Sequence, residues 1–180
     1  MAKEDSNIIR VQRYVSPCGE LLLGAWKGQL CLCNWSKEKH PGRVEARLQR
    51  LLGAAYQEET SDVTREAARQ LDEYFKGERQ AFDLPLIMAG SDFQQRVWQE
   101  LLKIPYGGTI SYGELAKRIG QAQAVRAVAN ANGANALSIF IPCHRVIGSN
   151  RSLTGYAGGL AAKQYLLAWE QAKSYKITSE

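Results

Sequence analysis

SYGELAKRIGQAQAVRAVANAN, running from Ser111 to Asn132, is the stretch whose reading decides the fold of the second half of the chain. Ser111 stands three residues before Glu114, the spacing that caps a helix amino terminus, and Leu115 and Ile119 then face inward. Gly120 stops this helix, and Ala122 to Asn132 can form the next. Two helices joined through a glycine make a helix-turn-helix. Ala127, Ala129, Ala131 and Gly133 keep one side of the second helix small, which suits close approach to a nucleic-acid backbone and equally suits packing inside a protein. Upstream, Ser91 and Gln94 repeat the capping pattern ahead of Phe93, Val97, Leu101 and Leu102. Pro105, Gly107 and Gly108 end that helix, so the carboxyl-terminal half reads as mostly helical.

Charge supports the nucleic-acid reading of that half. Residues 1–90 hold 13 Lys and Arg against 13 Asp and Glu, whereas residues 91–180 hold 10 against 5 and carry the whole formal charge of +5. A basic surface there attracts phosphates and makes association salt-dependent.

The amino-terminal half has a different pattern. Ile8 to Val15, Leu21 to Trp26 and Gln29 to Trp35 read as strands of an antiparallel meander, separated by turns at Pro17 to Gly19 and Lys27 to Gly28. Val44, Leu48, Leu51, Leu52 and Ala55 recur at helical spacing, as do Val63, Ala67, Leu71, Tyr74 and Phe75. Lys76 to Gly90, with Pro85 and two glycines, reads as the connection between domains 1–90 and 91–180. The fold class is therefore mixed α+β, with a small sheet-and-helix domain followed by a helical one. No run approaches the roughly 18 apolar residues of a membrane span, and MAKEDSN leads into no apolar signal core, so a soluble intracellular, cytoplasmic protein is expected.

Four cysteines, at 18, 31, 33 and 143, match neither a disulfide framework nor zinc-ligand spacing. Cys31 and Cys33 share one face of a strand and read as core, so no metal and no cofactor are expected. Cys143 differs. In PCHRV, Pro142 to Val146, a thiol sits beside a proton acceptor and a permanent cation, directly after the apolar run Ser138 to Ile141. Cationic or imidazolium neighbours can lower a thiol from about 8.5 to roughly 3.5–7.5 and so raise its nucleophilicity.

PCHRV with Ile147, Gly148 and TGYAGG (Thr154 to Gly159) resembles the signature of the O6-alkylguanine-DNA alkyltransferase family. FQQRVW (Phe93 to Trp98), IPYGGTISYGELA (Ile104 to Ala116) and RAVANANGAN (Arg126 to Asn135) are similar to that family in order and spacing, over about residues 91–171. YFKGERQAFDLPL (Tyr74 to Leu86) extends a weaker similarity backward. The resemblance implies a ribonuclease H-like amino-terminal domain and a winged helix-turn-helix that flips O6-alkylguanine, and O4-alkylthymine, out of double-stranded DNA. The alkyl group then passes irreversibly to Cys143, once per molecule, in a monomer associated with the nucleoid or nucleus.

The same resemblance implies the residue roles. Cys143 is the acceptor, served by a relay of water, His144 and Glu170. Tyr112 donates toward guanine N3, and Arg126 replaces the flipped base in the stack. Asn135 braces the turn after the recognition helix. The carbonyls of Cys143 and Val146 accept from the guanine amine, the Ala157 amide approaches O6, and Tyr156, Gly158 and Gly159 shape the pocket. Ala129, Ala136 and Ser138 depart from residues frequent in the family and bear on which alkyl groups fit. A non-enzymatic protein that recognises alkylated DNA is the alternative reading; a multiple-turnover cysteine hydrolase lacks an evident oxyanion-hole motif.

Overall fold

The computed structural model describes residues 7–148 and 155–178, with side chains to residue 174. The opening Thr154 of the glycine-rich motif lies outside the described residues. The chain divides into two compact units, Met1–Ala89 and Gly90–Glu180.

In the first unit β1 (Ile8–Ser16), β2 (Gly19–Trp26) and β3 (Gln29–Trp35) form an antiparallel meander in which Leu23 faces Cys33 and Gln12. Lys27 and Gly28 both adopt positive φ, at 50° and 78°, as the tight two-residue turn between β2 and β3 requires. Helix α1 (Arg43–Leu52) ends at Gly53, whose φ of 61° is left-handed. The chain then enters β4 (Ala55–Glu58), which pairs in parallel with β1 and gives the sheet order β3-β2-β1-β4. The helical spacing that reaches Ala55 in the sequence is thus broken two residues early, because Gly53 turns the backbone out of the helix.

Helix α2 (Asp62–Phe75) opens on a reciprocal cap between Ser61 and Thr64 and packs on the sheet. Ile9, Leu21, Leu30, Leu32, Leu48, Leu71 and Tyr74 are fully buried together with Cys31 and Cys33. Each large side chain so buried contributes about 1.5–3 kcal/mol. Residues 83–87 do not run as an open tether. The Leu30 amide donates to the Pro85 carbonyl and the Ile87 amide to that of Leu30, while Gln70 bonds both the amide and carbonyl of Asp83.

The second unit starts with α3 (Asp92–Leu101), where the Ser91–Gln94 capping box is complete in both directions. Helices α4 (Tyr112–Arg118) and α5 (Val125–Gly133) follow, packed on each other and on α3. Ser111 caps α4 by accepting from the Glu114 amide at 3.0 Å, but the Glu114 side chain turns to Arg118 instead of closing the box. Gly120, at φ 73°, ends the helix with a bond from the Gln121 amide to the Ala116 carbonyl. Helix α5 starts three residues later than the sequence suggests, after the turn closed by Ala124 and Gln121.

Two short strands, β5 (Ile110–Ser111) and β6 (Val146–Ile147), pair in parallel. The apolar run before Cys143 is a tight turn and no extended strand: the Phe140 amide bonds the Ser138 carbonyl, the Ile141 amide bonds that of Leu137, and Ile139 takes a φ of 73°. Helix α6 (Leu160–Thr178) begins two residues after Gly158 and continues well beyond Glu170. Among the described residues no helix is long and apolar enough to cross a membrane.

Candidate active site

Cys143 opens a 3₁₀ turn, Cys143–Arg145, between the tight turn at Ile139 and β6. Asn135, just past the end of α5, holds this approach. Its Nδ2 donates to the Ile141 carbonyl at 2.9 Å and its Oδ1 accepts from the Leu137 amide at 2.9 Å. One buried amide therefore ties the end of the second helix of the pair to the segment that carries the thiol.

The turn sends the next two side chains away from Cys143 and toward α6. His144 Nε2 lies 2.8 Å from Glu170 Oε2. Arg145 donates from Nε to Glu170 Oε1 at 2.8 Å, and from a terminal nitrogen to Oε2 at 3.0 Å, while its other terminal nitrogen donates to the Ile104 carbonyl at 2.7 Å. His144 and Glu170 are inaccessible to solvent. His144 Nδ1 is buried and makes no hydrogen bond to the described residues.

These contacts set the charges. Burial alone would raise Glu170, but His144 and Arg145 together hold the carboxyl well below the usual carboxylate range. Burial lowers His144, and the Arg145 and Lys163 charges add to that effect against the pull of Glu170, so the imidazole rests neutral. Burial raises the Cys143 thiol above its ordinary value, opposed by a hydrogen bond from Asn135 and the charge of Lys163. The sequence suggests that His144 and Arg145 lower the thiol. Both instead address Glu170, and the groups that draw the thiol down are Asn135 and Lys163.

Cys143 lies on a cavity of about 720 Å³, mostly apolar, to which Tyr112, Arg126, Asn135, Tyr156 and Ala157 also contribute. Helix α5 supplies one wall, with Arg126 exposed. Cys31, by contrast, is sealed in the core of the first unit, where burial pushes its thiol to about 12. The volume exceeds what a single water needs by more than an order of magnitude and is in the range of small-molecule sites.

Six of the residues given site roles in the sequence, together with Ala129, Gly133 and Ser138, therefore share one cavity, while His144 and Glu170 are buried outside its lining. Gly158 and Val146 lie outside its lining. Val146 is fully buried and its carbonyl accepts from Lys163 Nζ at 2.7 Å. Sequence reasoning passed over Lys163 and Asn132. Lys163 precedes Glu170 by seven residues, two helical turns, so its place on the buried face was readable from the spacing. Asn132 lines the cavity beside Cys143, its Oδ1 without a hydrogen bond to the described residues, and only its nearness to Asn135 hinted at that.

Residues 9–88 match the model of the 6-O-methylguanine DNA methyltransferase ribonuclease-like domain, and residues 92–172 that of the DNA binding domain of the same family. The methylated-DNA–protein-cysteine methyltransferase of Methanosarcina acetivorans is 44% identical over 157 residues, which is 87% of this chain and 95% of that protein. The constitutive methylated-DNA–protein-cysteine methyltransferase of Bacillus subtilis is 55% identical over 112 residues, 62% of this chain and 67% of its own. A crystal structure of Mycobacterium tuberculosis OGT in complex with DNA superposes with a TM-score of 0.75 at 40% identity, covering 92% of this chain and 94% of that one. With both domain models matched in order and nearly the whole of a relative aligned, the chain belongs to the 6-O-methylguanine DNA methyltransferase family.

Proposed function

We propose that the protein binds double-stranded DNA, takes an O6-alkylated guanine into the Cys143 cavity and transfers the alkyl group to its own sulfur in a single turnover. The observation that carries this reading is the placing of a nucleophile on a base-sized cavity walled by the second helix of a helix-turn-helix. A base stacked in a duplex cannot reach a cavity of that kind, so the nucleotide has to be flipped out. Arg126, exposed on the first turn of α5, is the side chain that enters the gap.

Neutral His144 takes the Cys143 proton through a water at Nδ1, and Glu170 stabilises the imidazolium across the 2.8 Å contact at Nε2. The thiolate attacks the alkyl carbon, a carbon–sulfur bond forms, and the carbon–oxygen bond breaks with its electron pair leaving on guanine. Tyr112 donates toward N3 as that charge develops, and the released base takes up a proton. The thioether product is not an exchangeable disulfide, so the molecule acts once. Alkylated duplex is the partner, the protein acts as a monomer in the cytoplasm or on the nucleoid, and O4-alkylthymine is a second substrate.

Intact-protein and peptide mass spectra after incubation with an O6-methylguanine duplex test this, with Cys143→Ser as control. The expected result is one increment of about 14 Da per chain, confined to the peptide carrying Cys143. Tight binding with no increment would leave a protein that recognises alkylated DNA without repairing it.

A further inference from the structure

Charge balances over the first half of the chain but not along it. Residues 1–90 hold equal numbers of basic and acidic side chains, yet residues 36–52 alone hold five Lys and Arg against two Glu. Helix α1 buries Val44 and Leu48. At 3.6 residues per turn Arg43, Arg47 and Arg50 fall together along one flank of that buried face, and Glu45 falls on the opposite flank. Glu45 is drawn inward, accepting from Asn34 Nδ2 of β3 at 3.1 Å, and half-buried Glu38 interacts with the same side chain. Both acids of the segment are therefore engaged by the protein, while Lys37, Lys39, Arg43 and Arg50 are exposed.

Helix α2 of the same unit is built the other way. Arg65 pairs with Asp62, Arg69 with Glu66 and Glu73, and Arg79 with Glu73. Arg43 and Arg50 have no ion pair among the described residues. Like charges one helical turn apart are destabilising, and burial together with the charges of Arg43 and Arg50 lowers the Arg47 guanidinium. A helix flank that repels itself is stabilised by an anion that spans it.

We propose that the α1 flank of Arg43, Arg47 and Arg50 is a second DNA-binding surface of the protein, which holds the phosphate backbone of a duplex without reading its bases. Seven residues of helix set the outer two arginines about 10 Å apart along the axis, the rise of roughly three steps on one DNA strand. The planar guanidinium fork bonds phosphate with two parallel donors, so arginine fits this partner better than lysine does. Duplex DNA is also the polyanion that the carboxyl-terminal domain belongs with, since that domain matches a DNA binding domain over residues 92–172. The inference goes beyond alkyl transfer at Cys143 and gives the first unit a part in holding DNA.

The test measures binding of the full chain to an undamaged duplex of about 30 base pairs, by fluorescence anisotropy between about 50 and 200 mM salt. Each phosphate contact contributes about 0.9 to the slope of log affinity against log salt. Arg43→Gln with Arg50→Gln is expected to lower that slope by about two and to weaken binding at least about tenfold near 100 mM salt. Arg65→Gln with Arg69→Gln removes the same charge from α2, and its slope is expected to stay at that of wild type. Transfer to Cys143 from the free base O6-methylguanine, which carries no phosphate, should be unaltered in both variants and so reports that they are folded. Arg50→Gln alone, expected to lower the slope by about one, supplies the same comparison from a single exposed side chain if the double variant does not fold. An unchanged slope in folded Arg43→Gln/Arg50→Gln overturns the proposal and leaves the flank to an acidic protein or to solvent. An equal fall in the α2 variant also overturns it, because net charge alone would then account for both. A wild type that shows the expected slopes but takes no alkyl group from damaged DNA would instead refute the alkyl-transfer reading alone.

Discussion

His144 Nε2 and Glu170 Oε2 lie 2.8 Å apart where neither side chain is open to solvent. Arg145 binds both oxygens of the same carboxylate. Glu170 therefore serves two residues at once: it orients the imidazole with Nε2 toward the acid, and it neutralises the only guanidinium of the turn.

Glu170→Gln keeps the size of the side chain but removes the charge that both partners use. Breaking a buried pair from one side costs about 3–5 kcal/mol, because the charge left behind has no compensation. Urea unfolding of Glu170→Gln should show a loss of that order, and single-turnover transfer should slow at least about tenfold through loss of imidazolium stabilisation. A variant that unfolds like wild type would mean that Arg145 draws its support from the Ile104 carbonyl alone.

Acid should destabilise the protein in two stages. His144 has a folded value below its unfolded one near 6.5, so its stabilising contribution is complete above about pH 6.5 and is lost as pH falls toward the folded value. Glu170 is likewise depressed, from near 4.3, so its contribution is complete above that and is lost at lower pH still. Thermal midpoints should fall between pH 6.5 and 5, before ordinary carboxylates titrate, and His144→Gln should remove that first step. A midpoint flat from pH 7 to 5 would contradict a buried neutral imidazole.

Much of the frame was legible because the signals were local. Gly120, Ser111 and the Leu115–Ile119 spacing located the helix pair, and the Lys27–Gly28 turn set the β2–β3 hairpin. The sheet's fourth strand was hidden because β4 offers four residues, none of them fully buried, and its parallel partner β1 lies far back in sequence. At the site, residue types and order pointed to Cys143, His144 and Glu170. The direction each side chain takes was not legible, since a single 3₁₀ turn sends His144 and Arg145 toward α6 and leaves the thiol to Lys163 and Asn135.

Trp98 shows how α5 is held. It is nearly buried and its Nε1 donates to the Ala131 carbonyl of α5 at 2.8 Å. A methyl group at Gly90 would come within 2.5 Å of the same ring, so the backbone before α3 is fitted around it. Trp98→Phe loses the hydrogen bond and part of the packing, a change expected to cost about 1–3 kcal/mol in urea unfolding. Binding to undamaged duplex should weaken along with stability. Unaltered stability would show that the Ala131 bond does not anchor α5.

In the proposed function, Arg126 acts in base flipping and not in the chemistry. It is exposed on the first turn of α5, on the same cavity as Cys143 but without a place in the His144–Glu170 network. A free alkylated guanine enters the cavity without leaving a stack, so nothing has to fill a gap. A duplex substrate loses pairing and stacking worth a few kcal/mol, and the side chain that takes the vacated space offsets part of that. Arg126→Ala should slow transfer from an alkylated duplex at least about tenfold while leaving reaction with the free base within about threefold. Competition between the two substrates, read as the alkylated fraction of Cys143, measures both at once. Equal loss on both would move Arg126 from the DNA to the reacting base, since only a contact made in both complexes slows both.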